Sequence, residues 1–254
     1  MRTLPLLVLT LAACGGSPKP SALGNAAGYG GPPGPAPTIA WSGGAPMNGG
    51  EFTIAGMPAV ADDGSRVLIG WQQGDGGRGY PNLRLQVVDR ADQVVDNRLV
   101  LDADQVEDLG EDATVDVTAH NQYLTDSNGA MRWRPLATAP VEAVTAEVGS
   151  ETADEDGASQ WTATLGDVSV HFDIGAHLVI AQGGKVVVDN VMDGWLTKDH
   201  LMYEGASEDE SCSNPIYLDR VHVDGGRHVA VIGVEYHGND SCWEPTGQAH
   251  VVAW

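Results

Sequence analysis

The stretch VHVDGGRHV, residues 221–229, matches VHFDIGAHL, residues 170–178, without a gap, and both read V-H-x-D-x-G-x-H. In each copy, apolar residues flank a turn-forming Asp and Gly, which is the pattern of two antiparallel strands joined by a tight turn. VADDGSRV, residues 60–67, keeps the Asp, Gly, basic and apolar positions, whereas TVDVTAH, residues 114–120, keeps only the Asp and the His. The chain is therefore predicted to repeat one β-hairpin unit.

The repeat has a regular period. Its aligned aspartates, Asp62, Asp116, Asp173 and Asp224, are 51 to 57 residues apart, a period typical of β-propeller blades or comparable β arrays. Short β-branched runs punctuated by Gly, Asp and Asn recur along the folded part, and no amphipathic helix stands out. Residues 136–148 contain a proline and several valines, so strand or loop is at least as good an interpretation as helix.

Residues 58–101 carry the clearest unit. PAVADDGSRVLI, residues 58–69, resembles the strand-turn-strand signature of TolB-type and WD40-like propeller blades, and two further strands are predicted at 82–92 and 93–101. The resemblance implies an all-β fold, a small β-propeller-like ring of about four blades; a β-sandwich with internally similar hairpins is the alternative. Because an open array leaves unpaired strand edges, a strand from the start of the domain is expected to pair near Trp254 and close the ring.

The first 14 residues, MRTLPLLVLTLAAC, have the parts of a secretory signal: a positive residue, a short apolar run, and small residues before a cysteine. The ending LAAC resembles the lipobox of bacterial lipoproteins, which implies that Cys14 is lipidated and becomes the mature N-terminus. A plain signal peptide is the alternative. The resemblance implies a lipid-anchored protein of the cell envelope, on the outer rather than the inner membrane, since Gly15 replaces the Asp that favours inner-membrane retention.

Three segments follow from this organisation: a lipoprotein signal peptide at 1–13, a tether at 14–38 and one all-β domain at 39–254. The tether is dominated by Gly and Pro and has no apolar periodicity to bury, so it is expected to hold the domain away from a membrane surface.

The charge and the cysteines limit the partners. A formal net charge of −22 disfavours nucleic acid, whose phosphates are bound by clustered Lys and Arg.

Apart from Cys14, the chain has only Cys212 and Cys242, and an oxidising compartment favours a disulfide between them. Residues 224–227 form a turn sequence midway between the two cysteines, so the bridge is predicted to close the open end of the last hairpin.

The doubled motif also suggests a metal site. His171 and Asp173, like His222 and Asp224, are two residues apart, so within each strand both side chains point to the same face. Histidine with carboxylate suits zinc or another transition metal. The alternative is that each aspartate side chain accepts hydrogen bonds from the backbone of its own turn, as Asp does in Asp-Gly turns. No cofactor is otherwise implied.

Two functions stay open. One is a binding or scaffolding module of the envelope with a protein or glycan partner, without a catalytic centre. The other is a hydrolase or lyase, metal-dependent if the four residues 171, 173, 222 and 224 converge. The sequence contains no G-x-S-x-G, H-E-x-x-H or Walker A pattern, which favours the binding module.

Overall fold

The structure, a computed structural model, describes residues 34–73, 79–110, 112–145, 158–192, 195, 216–236 and 247–254. These residues form mostly β-structure in several antiparallel sheets, so the all-β expectation is confirmed. None of the helices in the described ranges is long and apolar enough to cross a membrane.

The described part contains sixteen strands, one α-helix and two short 3₁₀ helices. The 3₁₀ helices are Pro46–Asn48 and Ala103–Asp108. In chain order the other elements are β1 (Thr38–Ser42), β2 (Glu51–Ala55), β3 (Ala59–Val60), β4 (Arg66–Trp71), β5 (Leu83–Asp89), β6 (Val94–Leu101), α1 (Thr118–Met131), β7 (Arg134–Pro135), β8 (Ala137–Ala139), β9 (Val141–Thr145), β10 (Ala158–Leu165), β11 (Val168–Asp173), β12 (His177–Gln182), β13 (Lys185–Val191), β14 (Ile216–Asp224), β15 (Val229–Tyr236) and β16 (Gly247–Ala253).

Three sheets and one hairpin organise these strands. The first sheet has the order β7-β3-β4-β5-β6, the middle sheet β8-β14-β15-β16 and the last sheet β9-β10-β11-β12-β13, while β1 pairs with β2 alone. Four strands in series from β3 to β6 match the unit predicted over residues 58–101. The four consecutive strands predicted over this range are therefore confirmed.

The aspartates of the three clearer copies lie at hairpin turns, as predicted. Asp173 Oδ1 accepts the backbone N–H groups of Gly175 at 2.9 Å and His177 at 3.2 Å, between β11 and β12. Asp224 Oδ1 accepts the N–H of Arg227 at 2.9 Å, between β14 and β15. Local side-chain to backbone bonds of this kind fix a turn without help from the rest of the fold.

A single extended segment joins the three sheets. Within residues 134–145, which we call the seam, β7 pairs with β3, β8 with β14 and β9 with β10. The seam thus adds one edge strand to each sheet in turn. Its sequence, RPLATAPVEAVT, alternates short β runs with prolines that end them. The strand interpretation of residues 136–148 is confirmed over the described residues.

The sheets pack face to face, with the middle sheet covered on both sides. One face of the middle sheet, including Val221 and Ile232, packs against Phe172 and Ile180 of the last sheet. Its other face carries Val231, which packs in one cluster with the first sheet. The outer face of the first sheet is covered by the β1–β2 hairpin and by α1. Burial on both faces explains the nearly continuous apolar sequence of β15.

Two expectations about the ring are wrong. The faint copy at Asp116 is not a hairpin: its Oδ1 accepts the N–H of Thr118 at 2.9 Å at the start of α1. Neither β1 nor β2 pairs near Trp254, and β16 is an edge of the middle sheet among the described strands. At this edge Asp92, from the turn between β5 and β6, accepts the N–H of Val251 at 2.7 Å.

No described sheet closes on itself, so a closed propeller is not confirmed. Gln182 Nε2, at the end of β12, donates to the carbonyl of Gly225 at 3.1 Å. The turn at Asp224 therefore lies beside the far end of β12, and the turn at Asp173 lies at the opposite end of the last sheet. The two strongest copies are not arranged as equivalent turns on one rim.

Candidate functional site

Arg227 lies between two aspartates at the end of the molecule where the turns of the first and middle sheets meet, which we call the turn end. Its guanidinium contacts Asp62 Oδ1 at 3.1 Å and Asp224 Oδ2 at 2.8 Å, and its Nε donates to the Asp62 carbonyl at 3.3 Å. The Arg227 side chain is 14 % exposed. Partly buried, charge-assisted bonds of this length are among the stronger polar contacts in proteins.

Two more arginines contact the carboxylate of Asp62. Arg134 Nε approaches its Oδ1 at 3.3 Å and Arg132 Nε its Oδ2 at 3.7 Å. Arg132 has a left-handed backbone, with φ 54, at the C-terminal end of α1. The N–H of Asp62 donates to the carbonyl of Met131 at 3.0 Å, which joins the turn to this helix end. Positive charge is thus concentrated at one place in a strongly acidic chain.

Arg90 extends the same network over backbone oxygens. Its guanidinium donates to the carbonyls of Gly64 at 3.2 Å, Arg227 at 3.1 Å, His228 at 3.3 Å and Trp254 at 3.3 Å. These four carbonyls belong to the first sheet, the middle sheet and the chain end. Because these donors are used on the protein's own oxygens, the turn end is a structural joint between sheets rather than a ligand site.

The predicted metal ligands are not brought together. Val170 and Phe172 face the middle sheet and Val221 and Val223 face the last sheet, all in one buried cluster. Since side chains alternate along a strand, His171 and His222 point away from each other, on opposite sides of two packed sheets. Asp173 is also about 16 Å, the length of β11, from the end of that strand that adjoins the turn at Asp224.

The described residues contain no group of three or more His, Cys, Asp or Glu side chains that could hold a metal ion. Asp173 and Asp224 instead use their oxygens on their own turns, which is the alternative that the sequence left open. His222 Nδ1 lies 3.2 Å from the hydroxyl of Thr138 on the seam. Burial lowers the pKa of His222, and Arg220 lowers it further.

His177 forms an exposed charge cluster with two aspartates. Its Nε2 lies 2.7 Å from Asp189 Oδ1 and its Nδ1 lies 3.6 Å from Asp173 Oδ2. The hydrogen bond to Asp189 raises the pKa of His177, and the charge of Asp173 adds to the effect. The cluster joins the turn before β12 to the neighbouring strand β13, which is its structural effect.

Aromatic and charged residues meet at the other end of the middle sheet. The guanidinium carbon of Arg220 lies 5.1 Å from the ring centroid of Trp71, and Tyr217 donates its hydroxyl to Glu235 at 2.8 Å. A Cβ on Gly233 would come within 2.6 Å of Arg220 Cγ, so this glycine lets the arginine lie across β15.

The edge strands β16, β13 and β6 differ in their contacts and exposure, and the exposed ones are a candidate interface for another strand. At the β16 edge, Asp92 accepts the N–H of Val251. The β13 edge presents Val186, 52 % exposed, and Val191, 56 % exposed, and β6 is exposed along most of its length. An exposed edge strand with β-branched side chains offers unpaired N–H and C=O groups to another strand. Among the described strands neither edge has a partner on its outer side, although β13 is bulged at Val187 and β6 at Val95 and Val100. These two edges are the candidate functional feature.

Sequence reasoning missed both the turn-end network and these edges. The sequence did contain a repeat that links the two edge strands: β6 and β13 share Val-Val-Asp-Asn, at 94–97 and 187–190. The signal for the network was absent, because Arg227 and Asp62 are 165 residues apart.

The predicted lipidation site, Cys14, and the predicted bridge between Cys212 and Cys242 lie outside the described residues. The chain matches no protein-family model, no curated protein and no solved structure.

Proposed function

We propose that this chain is a lipid-anchored binding module of the cell envelope, which holds a protein partner through the open β13 edge of its last sheet. The sequence left a protein or a glycan open as the partner. An extended protein segment is favoured because it can add a strand to this edge and bond its backbone, whereas a glycan has no such repeating backbone donors and acceptors.

The observation that carries the proposal is the contrast between the β16 and β13 edges. Asp92 accepts the N–H of Val251 at the β16 edge, while on β13, which has no described strand on its outer side, the side chains of Val186, Val187 and Val191 remain exposed. An edge of this kind exposes a protein to aggregation. The exposed β-branched side chains along the β13 edge therefore support a role in binding.

The alternative function, a metal-dependent hydrolase or lyase, receives no support from the geometry. It requires His171 and His222 to approach one point, and these two histidines point in opposite directions from a shared buried layer. The proposal therefore includes no catalytic residue and no cofactor. It excludes nucleic acid as a partner because of the net charge of −22.

In-cell photocrosslinking tests the partner. A photoreactive residue at Val186 should give one discrete adduct in the envelope fraction, whereas the same residue at Thr125, an exposed position on α1, should not. Adding Val191→Lys should abolish the adduct, because an edge lysine opposes strand addition. Equal labelling at positions 186 and 125, or an adduct that survives Val191→Lys, contradicts binding at this edge.

We also propose that Cys212 and Cys242 form a disulfide, because the cell envelope is an oxidising compartment. Alkylation of protein from the envelope, with and without prior reduction, should block both thiols only after reduction. Two thiols that react without reduction contradict the bridge and weaken the case for an oxidising compartment.

A further inference from the structure

β6 is an open edge whose sequence is complementary to itself. Residues 94–100 read VVDNRLV, and within the described strands β6 pairs on one side only, with β5. Val94 is 51 % exposed, Val95 48 % and Leu99 39 %. Counted outward from Asn97, the first residues on either side are Asp96 and Arg98, of opposite charge, and the next two pairs are apolar.

We propose that β6 pairs antiparallel with β6 of a second copy of this chain, about a two-fold axis at Asn97. Asp96 of each copy then lies opposite Arg98 of the other, and Leu99 lies opposite Val95, where the register of β6 against β5 shifts. Directly opposite residues of an antiparallel pair interact, and opposite charges or apolar pairs there are favourable. A two-fold interface requires such self-complementarity.

The two kinds of pair use different faces. Asp96 and Arg98 oppose Val87 and Leu85 of β5, whose side chains pack on the α1 side of the first sheet. The charge pairs therefore form on that face. Leu99 opposes Arg84, between Leu83 and Leu85, so the pair that it forms with Val95 lies on the opposite face. The dimer would continue both surfaces of the first sheet across the axis.

Charge also fixes the register. An axis at Asp96 would place two aspartates opposite each other, and an axis at Arg98 would oppose two arginines; like charges directly opposite are destabilising. The axis at Asn97 pairs both charges of one copy with both of the other.

A charge-swap experiment tests the pairing. The protein used is the full chain with Cys14→Ser, measured by sedimentation velocity over a wide concentration range at physiological salt. The parent chain should dimerise. Asp96→Arg alone and Arg98→Asp alone should each be monomeric, because each places like charges opposite each other in a homodimer. An equimolar mixture of the two should dimerise again, since the arginines of one copy then oppose the aspartates of the other.

Two further variants separate the interface from local damage, because Asp96 and Arg98 also contact Tyr123. Leu99→Lys, which leaves that contact intact, should be monomeric. Val186→Lys, the matched change on the β13 edge, should remain dimeric. A monomeric parent chain, dimers in either single charge variant, no recovery on mixing, or loss of the dimer in Val186→Lys each overturns the proposal.

Discussion

Replacing Arg227 by alanine should weaken the joint between the first and middle sheets. The change removes ion pairs of 3.1 Å to Asp62 and 2.8 Å to Asp224. Breaking a fully buried pair costs about 3 to 5 kcal/mol because a charge is left without its partner. Here both carboxylates are half-buried and Asp62 keeps Arg134 at 3.3 Å, so we expect the free energy of unfolding to fall by about 2 to 3 kcal/mol.

Urea denaturation of the parent and variant chains measures this loss. Arg66→Ala is the matched control, because Arg66 makes a long ion pair of 3.8 Å with Asp89 and a 3.4 Å hydrogen bond to the adjacent Ser65 carbonyl, and the change should cost about 0.5 kcal/mol or less. Adding Asp62→Asn gives a double-mutant cycle, in which Arg227 and Asp62 should show a coupling of about 1 kcal/mol or more. A cost for Arg227→Ala no larger than that of Arg66→Ala, or no coupling, refutes the reasoning.

Two other outcomes follow from named contacts. Asp189→Asn should lower the pKa of His177, measured by NMR titration, because the hydrogen bond from Asp189 raises that pKa. The stability that this contact adds is present below the ordinary histidine pKa and is lost as pH rises through the raised value. An unchanged titration of His177 in the variant contradicts the contact. Asp92→Ala should speed hydrogen exchange at the N–H of Val251, its 2.7 Å donor, and lower the free energy of unfolding by about 1 to 2 kcal/mol; unaltered exchange there would show that the edge is not held by Asp92.

The hairpins could be predicted from the sequence because their causes are local. Asp173 and Asp224 bond backbone groups within four residues of themselves, and β-branched runs on either side complete each hairpin. The same locality made the metal hypothesis attractive. Whether two His-x-Asp pairs meet depends on which faces of the sheets pack, and that is decided by the valines and Phe172 between the histidines.

The helix α1 was missed because little of it is buried. Only Leu124 and Asn128 are buried along its 14 residues, so it lacks the apolar stripe by which a helix is recognised. It is held instead by polar contacts to distant residues. Asn121 exchanges hydrogen bonds of 2.9 and 2.8 Å with the backbone of Ile39, 82 residues away, a contact that no local pattern indicates.

The seam shows a similar limit. Its prolines and short β runs were readable, but their assignment to three different sheets depends on partners as distant as Val221, which lies opposite Ala139. The blade-like unit of residues 58–101 was predicted because its four strands are consecutive. The arrangement of the sheets was not, because it depends on contacts between distant segments.

The proposed function requires that the domain be anchored at a membrane, and the predicted anchor is a lipid on Cys14. Mass spectrometry of the N-terminal peptide from the membrane fraction tests it most directly. The account predicts a peptide that begins at Cys14 and carries acyl chains, with Cys14→Ser releasing the chain from the membrane. An unmodified mature chain in the soluble fraction would contradict a lipid-anchored binding module.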